Sequence, residues 1–333
     1  MKMSEPTRKI LVTRDRIDEG VVALLARGGY QCLFSPPSTP SGEVARIARE
    51  AQVCAIMVSQ GKITRQVIDA SPELRVIAKH GSGVNNINLQ AAEDRGIPVF
   101  RAVGANARAV AEHGIALMLA LRKSLPYLDA ATKRGEWIKG GFVGKDILGA
   151  QLGLVGLGAI GRETARLATL LGMNVRAYDP AMSGQAAPQG ITLCDTIGAL
   201  AEVSDILSLH CPLVPSTRHL INADVLARMP RHAVLINTAR GGIIDEEALA
   251  RALHDGTIAG AGIDSFETEP PGADNPLFGA PNLVVTPHAA GLTAGAEGAM
   301  AGMAARFIMD TIEGKNVPVE YRATAATLGG LVE

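Results

Sequence analysis

The sequence is poor in the features that would tie it to nucleic acid or to an oxidising compartment. Its 333 residues carry a formal net charge of -1, from 32 lysines and arginines against 33 acidic residues. This balance excludes an electrostatic footprint for nucleic acid or for an anionic membrane. Only four cysteines occur, with neither a CxxC pair nor a metal-ligand spacing to histidine. We therefore expect free thiols in a reducing compartment.

Long apolar segments are also missing. The N-terminus holds no apolar stretch of signal-peptide length before the first strand-like run. The longest apolar run, around residues 115–121, is flanked by charged or polar side chains and is too short to span a bilayer. These absences predict a cytoplasmic location, no membrane or nucleic-acid partner, and small ligands that are neutral or singly charged.

The sequence does contain an alternation of short apolar runs with helix-like stretches. Over residues 1 to about 104 the runs are KILVT, CAIMVS, LRVIAKH and IPVF, and a second series follows from QLGLVG to LVVTPH. This βαβα rhythm is typical of a parallel sheet covered by helices. Because 333 residues exceed the usual size of one hydrophobic core, the sequence predicts an α/β protein with two domains.

The segment from Asn106 to Leu125 is the candidate join between these domains. Its apolar residues follow helical spacing and fill the other faces too, which predicts a helix that is buried all round. Such a helix lies between domains, in a homodimer interface, or in an ordinary core. A second helical pattern, which ends at Gly314, returns the chain to the first domain. We predict one domain from residues 1–104 with 291–333, and another from residues 105–290.

The strongest local signal is a glycine-rich turn between a predicted strand and a predicted helix. The turn consists of Gly156, Leu157, Gly158, Ala159, Ile160 and Gly161. Gly156 permits a tight turn, Gly158 lets the backbone approach a pyrophosphate at the helix N-terminus, and Gly161 lets the helix pack closely on the strand. In this context the turn predicts a dinucleotide-binding domain.

An acidic residue follows the glycines at the expected distance. Asp179 ends the next strand, NVRAY, roughly 20 residues beyond the turn. Its carboxylate can accept hydrogen bonds from the ribose hydroxyls of adenosine, and it would repel a 2′-phosphate. Arg176, three residues earlier, softens that repulsion. The predicted cofactor is nevertheless NAD rather than NADP.

Three further motifs follow the glycine turn in order. They are VLINTARGGIIDEEAL, GAGIDSFETEPP and NLVVTPHAAG. Together with the glycine turn they resemble the D-isomer-specific 2-hydroxyacid dehydrogenase family, which includes phosphoglycerate dehydrogenases and hydroxypyruvate or glyoxylate reductases. The resemblance runs from about Ile10 to Pro318. It implies a Rossmann-type doubly wound parallel sheet in the NAD domain and a flavodoxin-like substrate domain.

The resemblance also implies roles for individual residues. Arg240 is the substrate-orienting arginine, His288 is the acid/base, and Glu269 is the carboxylate behind this histidine. The resemblance implies cofactor contacts at the glycine turn, including Ala159 and Ile160, and at Asp179. It also implies cofactor contacts at Cys211, Thr238, Asp264 and Gly291. The implied substrate contacts are Lys79, Ser82, Gly83 and Asn106, with the backbone amides of the KHGSG loop holding the substrate carboxylate.

Oxidation of a 2-hydroxy acid requires these residue types, whichever family the protein belongs to. Oxidising a secondary alcohol needs a base, and histidine is the side chain whose unperturbed pKa lies nearest to neutrality. His288 follows a predicted strand directly, and open α/β sheets place their ligands at the carboxyl ends of strands. A carboxylate such as Glu269 would fix the tautomer of the ring, and Arg240 offers a permanently charged fork for a carboxylate. No metal is required.

The first domain leaves the substrate open. Val58 stands where phosphoglycerate-using members of the family carry an arginine, so glyoxylate, hydroxypyruvate or a similar short 2-oxo acid is favoured and 3-phosphoglycerate comes second. Lys62, Lys79 and Lys139 can still meet a phosphate. Two other functions fit the same scaffold, namely a formate or phosphite dehydrogenase and a non-enzymatic NAD-sensing binding protein.

Overall fold

The computed structural model describes residues 8–328 and divides the chain into two compact units. The first unit runs to Asn106 and resumes at Thr293, and the second is Ala107–Leu292. The predicted boundaries follow residues 104 and 290, so each boundary in the structure lies two residues further along the chain. In the described part of the chain, no helix is long and apolar enough to cross a membrane.

The first unit begins with five strands and four helices in alternation. The strands are β1 (Arg8–Val12), β2 (Tyr30–Phe34), β3 (Ala55–Val58), β4 (Val76–Lys79) and β5 (Val99–Arg101). The helices are α1 (Glu19–Arg27), α2 (Ser41–Ala51), α3 (Arg65–Ala70) and α4 (Leu89–Asp94). Every residue of β3 and β4 is buried, as in central parallel strands covered on both faces. The sequence did not predict β2, in which Tyr30 alone is buried.

The second unit continues the same alternation. Its helices are α5 (Ala107–Arg122), α6 (Leu125–Lys133), α7 (Ala159–Leu170), α8 (Ile197–Val203), α9 (Ala223–Arg228) and α10 (Glu246–His254). Its strands are β6 (Gln151–Val155), β7 (Asn174–Tyr178), β8 (Ile191–Leu193), β9 (Ile206–Leu209), β10 (Val234–Asn237), β11 (Gly260–Ile263) and β12 (Leu283–Val285). Short 3-10 turns lie at Pro180–Met182, Gly241–Ile243 and Pro276–Gly279.

The C-terminal segment completes the first unit. Helix α11 (Ala294–Ile312) is capped by Thr293, whose hydroxyl accepts a hydrogen bond from the backbone amide of Ala296. Its buried alanines pack against β3, β4 and β5. Strand β13 (Arg322–Ala323) then pairs antiparallel with β5, and 3-10 turns lie at Val319–Tyr321 and Ala325–Leu328. Helix α11 and strand β13 thus lie in the same compact unit as β1–β5.

The two sheets have different strand orders. The first runs β13-β5-β4-β3-β1-β2, and its five parallel strands have the flavodoxin-like order. The second runs β12-β11-β10-β9-β6-β7-β8 and is parallel throughout, which is the doubly wound dinucleotide-binding order with one strand added. The predicted fold class is confirmed. In the second sheet the order reverses between β6 and β9, where such sheets bind ligands.

Within one chain, the helix predicted from Asn106 to Leu125 is shorter than predicted and is not buried all round. Helix α5 ends at Arg122, and Ser124, with a positive φ of 50°, separates it from α6. The helix packs on α7, β10 and β11 through one side, which includes Ile115 and Met118. Ala116 is exposed and Leu119 is partly exposed, because a helix that covers a sheet leaves its outer side uncovered within one chain.

Candidate active site

Two glycines of the glycine turn are required by the protein itself. Gly156 has a positive φ of 98°, and a Cβ there would lie 2.9 Å from the carbonyl oxygen of His210 and 3.0 Å from the amide nitrogen of Cys211. A Cβ on Gly161 would lie 2.2 Å from the carbonyl oxygen of Gly156. The turn after β6 therefore packs directly on the end of β9 and on the first turn of α7, at the point where the strand order reverses.

Gly158 is different, because nothing in the protein needs it to be glycine. No atom lies within 4 Å of the position that its Cβ would take, and its φ of -68° is open to any residue. It is the residue that caps the N-terminus of α7, where the first backbone N–H groups have no acceptor within the helix. An open cradle at a helix N-terminus fits the predicted pyrophosphate of a dinucleotide.

Asp179 lies beside this turn. Its Oδ2 accepts a hydrogen bond of 2.8 Å from the amide of Leu157, and its Oδ1 accepts one of 3.0 Å from the amide of Ala181. The carboxylate is thus held at the end of β7, next to the glycines, and it remains partly exposed. Arg176 does not soften its charge here, because the Arg176 Nε lies 3.5 Å from the Oε1 of Gln151, at the opposite edge of the sheet.

The ends of β9 and β10 supply uncharged groups near the glycine turn. Burial raises the pKa of the Cys211 thiol to about 11 and lowers the pKa of His210 to about 4, so both are neutral at physiological pH. The Nε2 of His210 lies 3.0 Å from the hydroxyl of Ser208. Thr238 has a buried hydroxyl without a hydrogen-bond partner among the residues described. Such an unsatisfied group fits a contact to a ligand.

His288 and Glu269 form a hydrogen-bonded pair. The Nδ1 of His288 lies 2.7 Å from the Oε2 of Glu269, so the carboxylate accepts from this ring nitrogen and the Nε2 faces away from it. The backbone of His288 has a positive φ of 53°, an uncommon conformation for histidine. Backbone strain of this kind is often found at functional sites. Both side chains remain partly exposed.

Glu269 is an ionised partner for this histidine. Burial by itself raises its pKa, but the hydrogen bond and charge of His288, the amide of Phe266 and the charge of Arg240 together lower the pKa below its ordinary value. The Oε1 accepts a hydrogen bond of 3.0 Å from Phe266. The neighbouring Glu267 instead pairs with Arg218 at 2.5 Å. Glu269 is therefore the carboxylate that can fix the tautomer of His288.

Gly241, the residue after Arg240, lets this arginine lie close to the loop that carries Glu269. A Cβ on Gly241 would lie 1.8 Å from the carbonyl carbon of Phe266, so the turn after β10 packs directly on the loop that carries Glu269. Burial lowers the pKa of Arg240 and the charge of Glu269 opposes this effect. The Nη1 donates to the carbonyl oxygen of Ala239 at 2.7 Å. The second unit thus brings the three predicted catalytic residues together.

The turn that presents His288 is built around one buried carboxylate. Asp264 is fully buried, and its oxygens accept hydrogen bonds from the Thr286 hydroxyl (2.5 Å) and from the amides of Ala289 (2.8 Å) and Ala290 (3.0 Å). The carbonyl oxygen of Asp264 accepts from the amide of His288 at 2.8 Å. Its implied contact to the cofactor stays a prediction, as does that of the partly exposed Gly291.

His113 also belongs to this network, although the sequence did not single it out. Its Nε2 lies 3.0 Å from the hydroxyl of Thr286 and 3.7 Å from the Oδ1 of Asp264. Because the Thr286 hydroxyl donates to Asp264, it accepts from the His113 ring. His113 lies on α5, 173 residues before Thr286 in the chain, so the spacing of the motifs could not predict their contact.

The predicted substrate contacts lie in the first unit. Lys79 ends β4, and its Nζ donates to the carbonyl oxygen of Ser59 (2.6 Å) and to the Oδ1 of Asn86 (3.0 Å). Ser82 and Gly83 follow in a partly exposed loop, and none of the described residues accepts a hydrogen bond from either amide. Asn106 directly precedes α5. Among residues 8–328 no group of three His, Cys, Asp or Glu side chains is placed to hold a metal ion.

Comparisons with known proteins agree with this arrangement. Residues 115–290 match the family described as "D-isomer specific 2-hydroxyacid dehydrogenase, NAD binding domain". A D-3-phosphoglycerate dehydrogenase of Methanocaldococcus jannaschii is 37% identical over 341 aligned residues, which cover 97% of this chain but only 64% of that protein. A hydroxypyruvate reductase of Thermotoga maritima is 41% identical over 77% of this chain and 83% of its own length.

A solved structure shows the same fold over nearly the whole chain. The TT0316 protein from Thermus thermophilus aligns with a TM-score of 0.86 and 31% identity, covering 95% of this chain and 100% of its own. The family match spans more than half of the 333 residues, and it contains the glycine turn, Asp179, Arg240, Glu269 and His288. The chain therefore belongs to the D-isomer specific 2-hydroxyacid dehydrogenase family.

Proposed function

We propose that this protein is an NAD-dependent oxidoreductase that interconverts a short D-2-hydroxy acid and its 2-oxo acid. The observation that carries the proposal is the 2.7 Å pair of His288 and Glu269, with Arg240 on the adjoining turn. In this proposal the second unit holds NAD and the catalytic residues, and the first unit binds the substrate carboxylate through the amides of Ser82 and Gly83.

The protein's own residues account for the proton and for substrate orientation. Bound NAD supplies the acceptor or donor of the hydride. In the oxidative direction the Nε2 of His288 takes the proton of the substrate hydroxyl, and Glu269 stabilises the imidazolium that results. In the reductive direction the same nitrogen returns the proton to the carbonyl oxygen. Arg240 grips the substrate carboxylate and polarises the adjacent carbonyl.

We propose NAD as the preferred cofactor because of the surroundings of Asp179. Two backbone amides hold its carboxylate beside the glycine turn, and Arg176 is directed to the other edge of the sheet. A 2′-phosphate would meet this fixed negative charge, and Arg176, which is turned towards Gln151, would not offset it. Dissociation constants for NADH and NADPH, measured by fluorescence titration, test this preference.

The substrate proposed from the sequence is glyoxylate, hydroxypyruvate or a similar short 2-oxo acid, with 3-phosphoglycerate second. The names of the relatives, a hydroxypyruvate reductase and a phosphoglycerate dehydrogenase, support the same two candidates. Hydroxypyruvate and 3-phosphoglycerate are both acids of three carbons. They differ in whether the third carbon carries a second anionic group.

We also propose a cytoplasmic homodimer. Large apolar side chains are exposed along one segment of the second unit, and a second copy of the chain would cover them. They are Leu125 (52%), Tyr127 (52%), Trp137 (81%), Val143 (88%) and Leu148 (76%). The four cysteines are unpaired, in keeping with a reducing compartment. Sedimentation of the purified protein, with Trp137→Glu as the variant that should dissociate, tests the assembly.

A single assay tests the proposed activity. Purified protein is mixed with NADH and, in turn, with glyoxylate, hydroxypyruvate, pyruvate and 3-phosphohydroxypyruvate, and the loss of NADH absorbance is followed. Turnover of at least one acid, and not of formate or phosphite with NAD, is expected. Tight NADH binding with no turnover of any 2-oxo acid would contradict the proposal and favour a binding protein.

A further inference from the structure

Three neighbouring strands of the first sheet end in one row. Val58, Lys79 and Arg101 are the last residues of β3, β4 and β5, and the parallel register pairs Val58 with Lys79 and Lys79 with Arg101. Side chains two residues apart on a strand point to the same face. The row therefore shares a face with the buried Ile56, Ile77 and Val99. Adjacent strands are about 4.8 Å apart, so Lys79 and Arg101 are immediate neighbours.

Arg101 is a cation without an anionic partner in this row. Its Nε is buried and has no acceptor, and no carboxylate lies within ion-pair distance among the residues described. Burial lowers its pKa, although a guanidinium remains protonated at physiological pH. A buried charged donor that lacks an acceptor is unfavourable. The side chain as a whole is only partly buried, so a ligand can reach it.

Arg101 adjoins the loop that carries the free amides. The amide of Ala102 donates to the carbonyl oxygen of Gly81 at 2.8 Å, which ties the end of β5 to the loop containing Ser82 and Gly83. Lys79, the neighbour of Arg101 in the row, reaches the same loop through its hydrogen bond to Asn86. Donors for one carboxylate and a cation for another anionic group thus lie side by side within the first unit.

We propose that Arg101 binds a second anionic group on the substrate and so selects 2-oxo acids that carry a carboxylate, sulfonate or phosphate group on C3. This inference rests on the proposed function and reverses its order of substrates. Val58 leaves the end of β3 without the cation that phosphoglycerate-using members carry there. Arg101 provides a cation at the end of β5, two strands away. A planar guanidinium with free donors suits the paired oxygens of all three groups.

Substrates without an anionic group on C3 would leave Arg101 without an acceptor. Glyoxylate has no third carbon, and hydroxypyruvate places only a hydroxyl there, so neither offers a charge to Arg101. One charge-assisted hydrogen bond contributes about ten- to hundredfold in affinity. We therefore expect kcat/KM for 3-phosphohydroxypyruvate, 3-sulfopyruvate or oxaloacetate to exceed that for hydroxypyruvate at least tenfold, mainly through KM.

The test compares Arg101→Gln with wild type across these four acids. The variant should lose the preference for the anionic acids by about ten- to hundredfold, whereas Arg101→Lys should keep part of it. The matched control is Arg75→Gln, which removes an exposed arginine directly before β4, at the opposite edge of the same sheet. The control should keep the wild-type preference. Which anionic acid is fastest then identifies the group on C3.

A binding readout separates this inference from the proposed activity. In thermal unfolding, 3-phosphoglycerate should raise the midpoint of wild type more than glycerate does, and this difference should disappear in Arg101→Gln. If no 2-oxo acid is turned over but this difference is present, the proposed activity fails and the site at Arg101 stands. If wild type has no preference in either assay, or if Arg101→Gln keeps it, the inference about Arg101 is wrong.

Discussion

The carboxyl edges of the two sheets differ in how far their polar groups are satisfied. In the second unit, Asp264 holds Thr286 and the turn around His288 in a closed set of hydrogen bonds, and Glu269 fixes the ring of that histidine. In the first unit, the amides of Ser82 and Gly83 and the Nε of Arg101 have no acceptors among the residues described.

In the proposed function, this difference separates the groups that move a proton from the first-unit donors that bind anionic groups of the substrate. Groups that move a proton must be held in place before the substrate arrives, because reorganising them during the reaction would slow it. Hydrogen-bond donors that recognise an anion obtain their acceptors only when the substrate binds. Changes in the second unit should therefore lower kcat, and changes in the first should alter which acid is used.

Arg240→Ala should give the largest effect. Removing the guanidinium takes away the group that we propose to orient the substrate carboxylate and to polarise the adjacent C2 carbonyl, and we expect kcat/KM to fall on the order of a thousandfold. The control is Arg251→Ala, an exposed arginine on α10, which should behave like wild type. Steady-state rates with the best acid of the panel measure both. Normal turnover in Arg240→Ala would mean that the chemistry does not reside in this unit.

Glu269→Gln should lower kcat on the order of a hundredfold while NADH still binds, because the amide no longer stabilises the imidazolium. Glu267→Gln, which touches Arg218 and not His288, is the matched control. An equal loss in both variants would contradict the assigned pair.

Glu269 should also leave a signature in the pH dependence of unfolding. The pKa of Glu269 is lowered in the folded state, so its contribution to stability is present above the pKa of an unfolded glutamate, about 4.3, and is lost as the pH falls through the folded value. The stability difference between wild type and Glu269→Gln should therefore be present at pH 7 and shrink below about pH 4. Denaturant unfolding at several pH values measures it. A difference that grows towards acid would contradict this origin.

The two glycines Gly158 and Gly161 should respond in opposite ways to alanine. At Gly158 the space is open, so Gly158→Ala should fold normally and weaken NADH binding about tenfold or more, because the new methyl group fills the cradle at the start of α7. Gly161→Ala would place its Cβ 2.2 Å from the carbonyl oxygen of Gly156, and it should destabilise the protein by about 1 to 3 kcal/mol. Thermal unfolding and NADH titration separate the two effects.

His113→Ala should have the smallest effect. The variant removes the donor to the Thr286 hydroxyl and leaves the rest of the Asp264 network in place, so we expect kcat to fall severalfold, with KM nearly unchanged. Thr286→Val should reproduce the loss if both act through the His288 turn. If the double variant loses the full product of the two single effects, the residues act independently and the network is not the cause.

The sequence predicted those site residues that lie within a motif. Gly156, Asp179, Arg240 and His288 each stand within three residues of the end of an apolar strand, so their position at one sheet edge followed from spacing. Arg101 and His113 were not found as site residues, because their neighbours in space are far away in the chain. The exposure of the outer side of α5 within one chain was not predicted, because an apolar pattern cannot tell burial inside one chain from burial in an interface.

The most direct test of the central claim is the fate of the hydride. Reduction of the best 2-oxo acid with NADH that carries deuterium at C4 of the nicotinamide, on one face and then on the other, is followed by analysis of the product. One of the two labelled forms should give a D-2-hydroxy acid with deuterium at C2. A product without deuterium from either form, or a product of L configuration, would contradict the account.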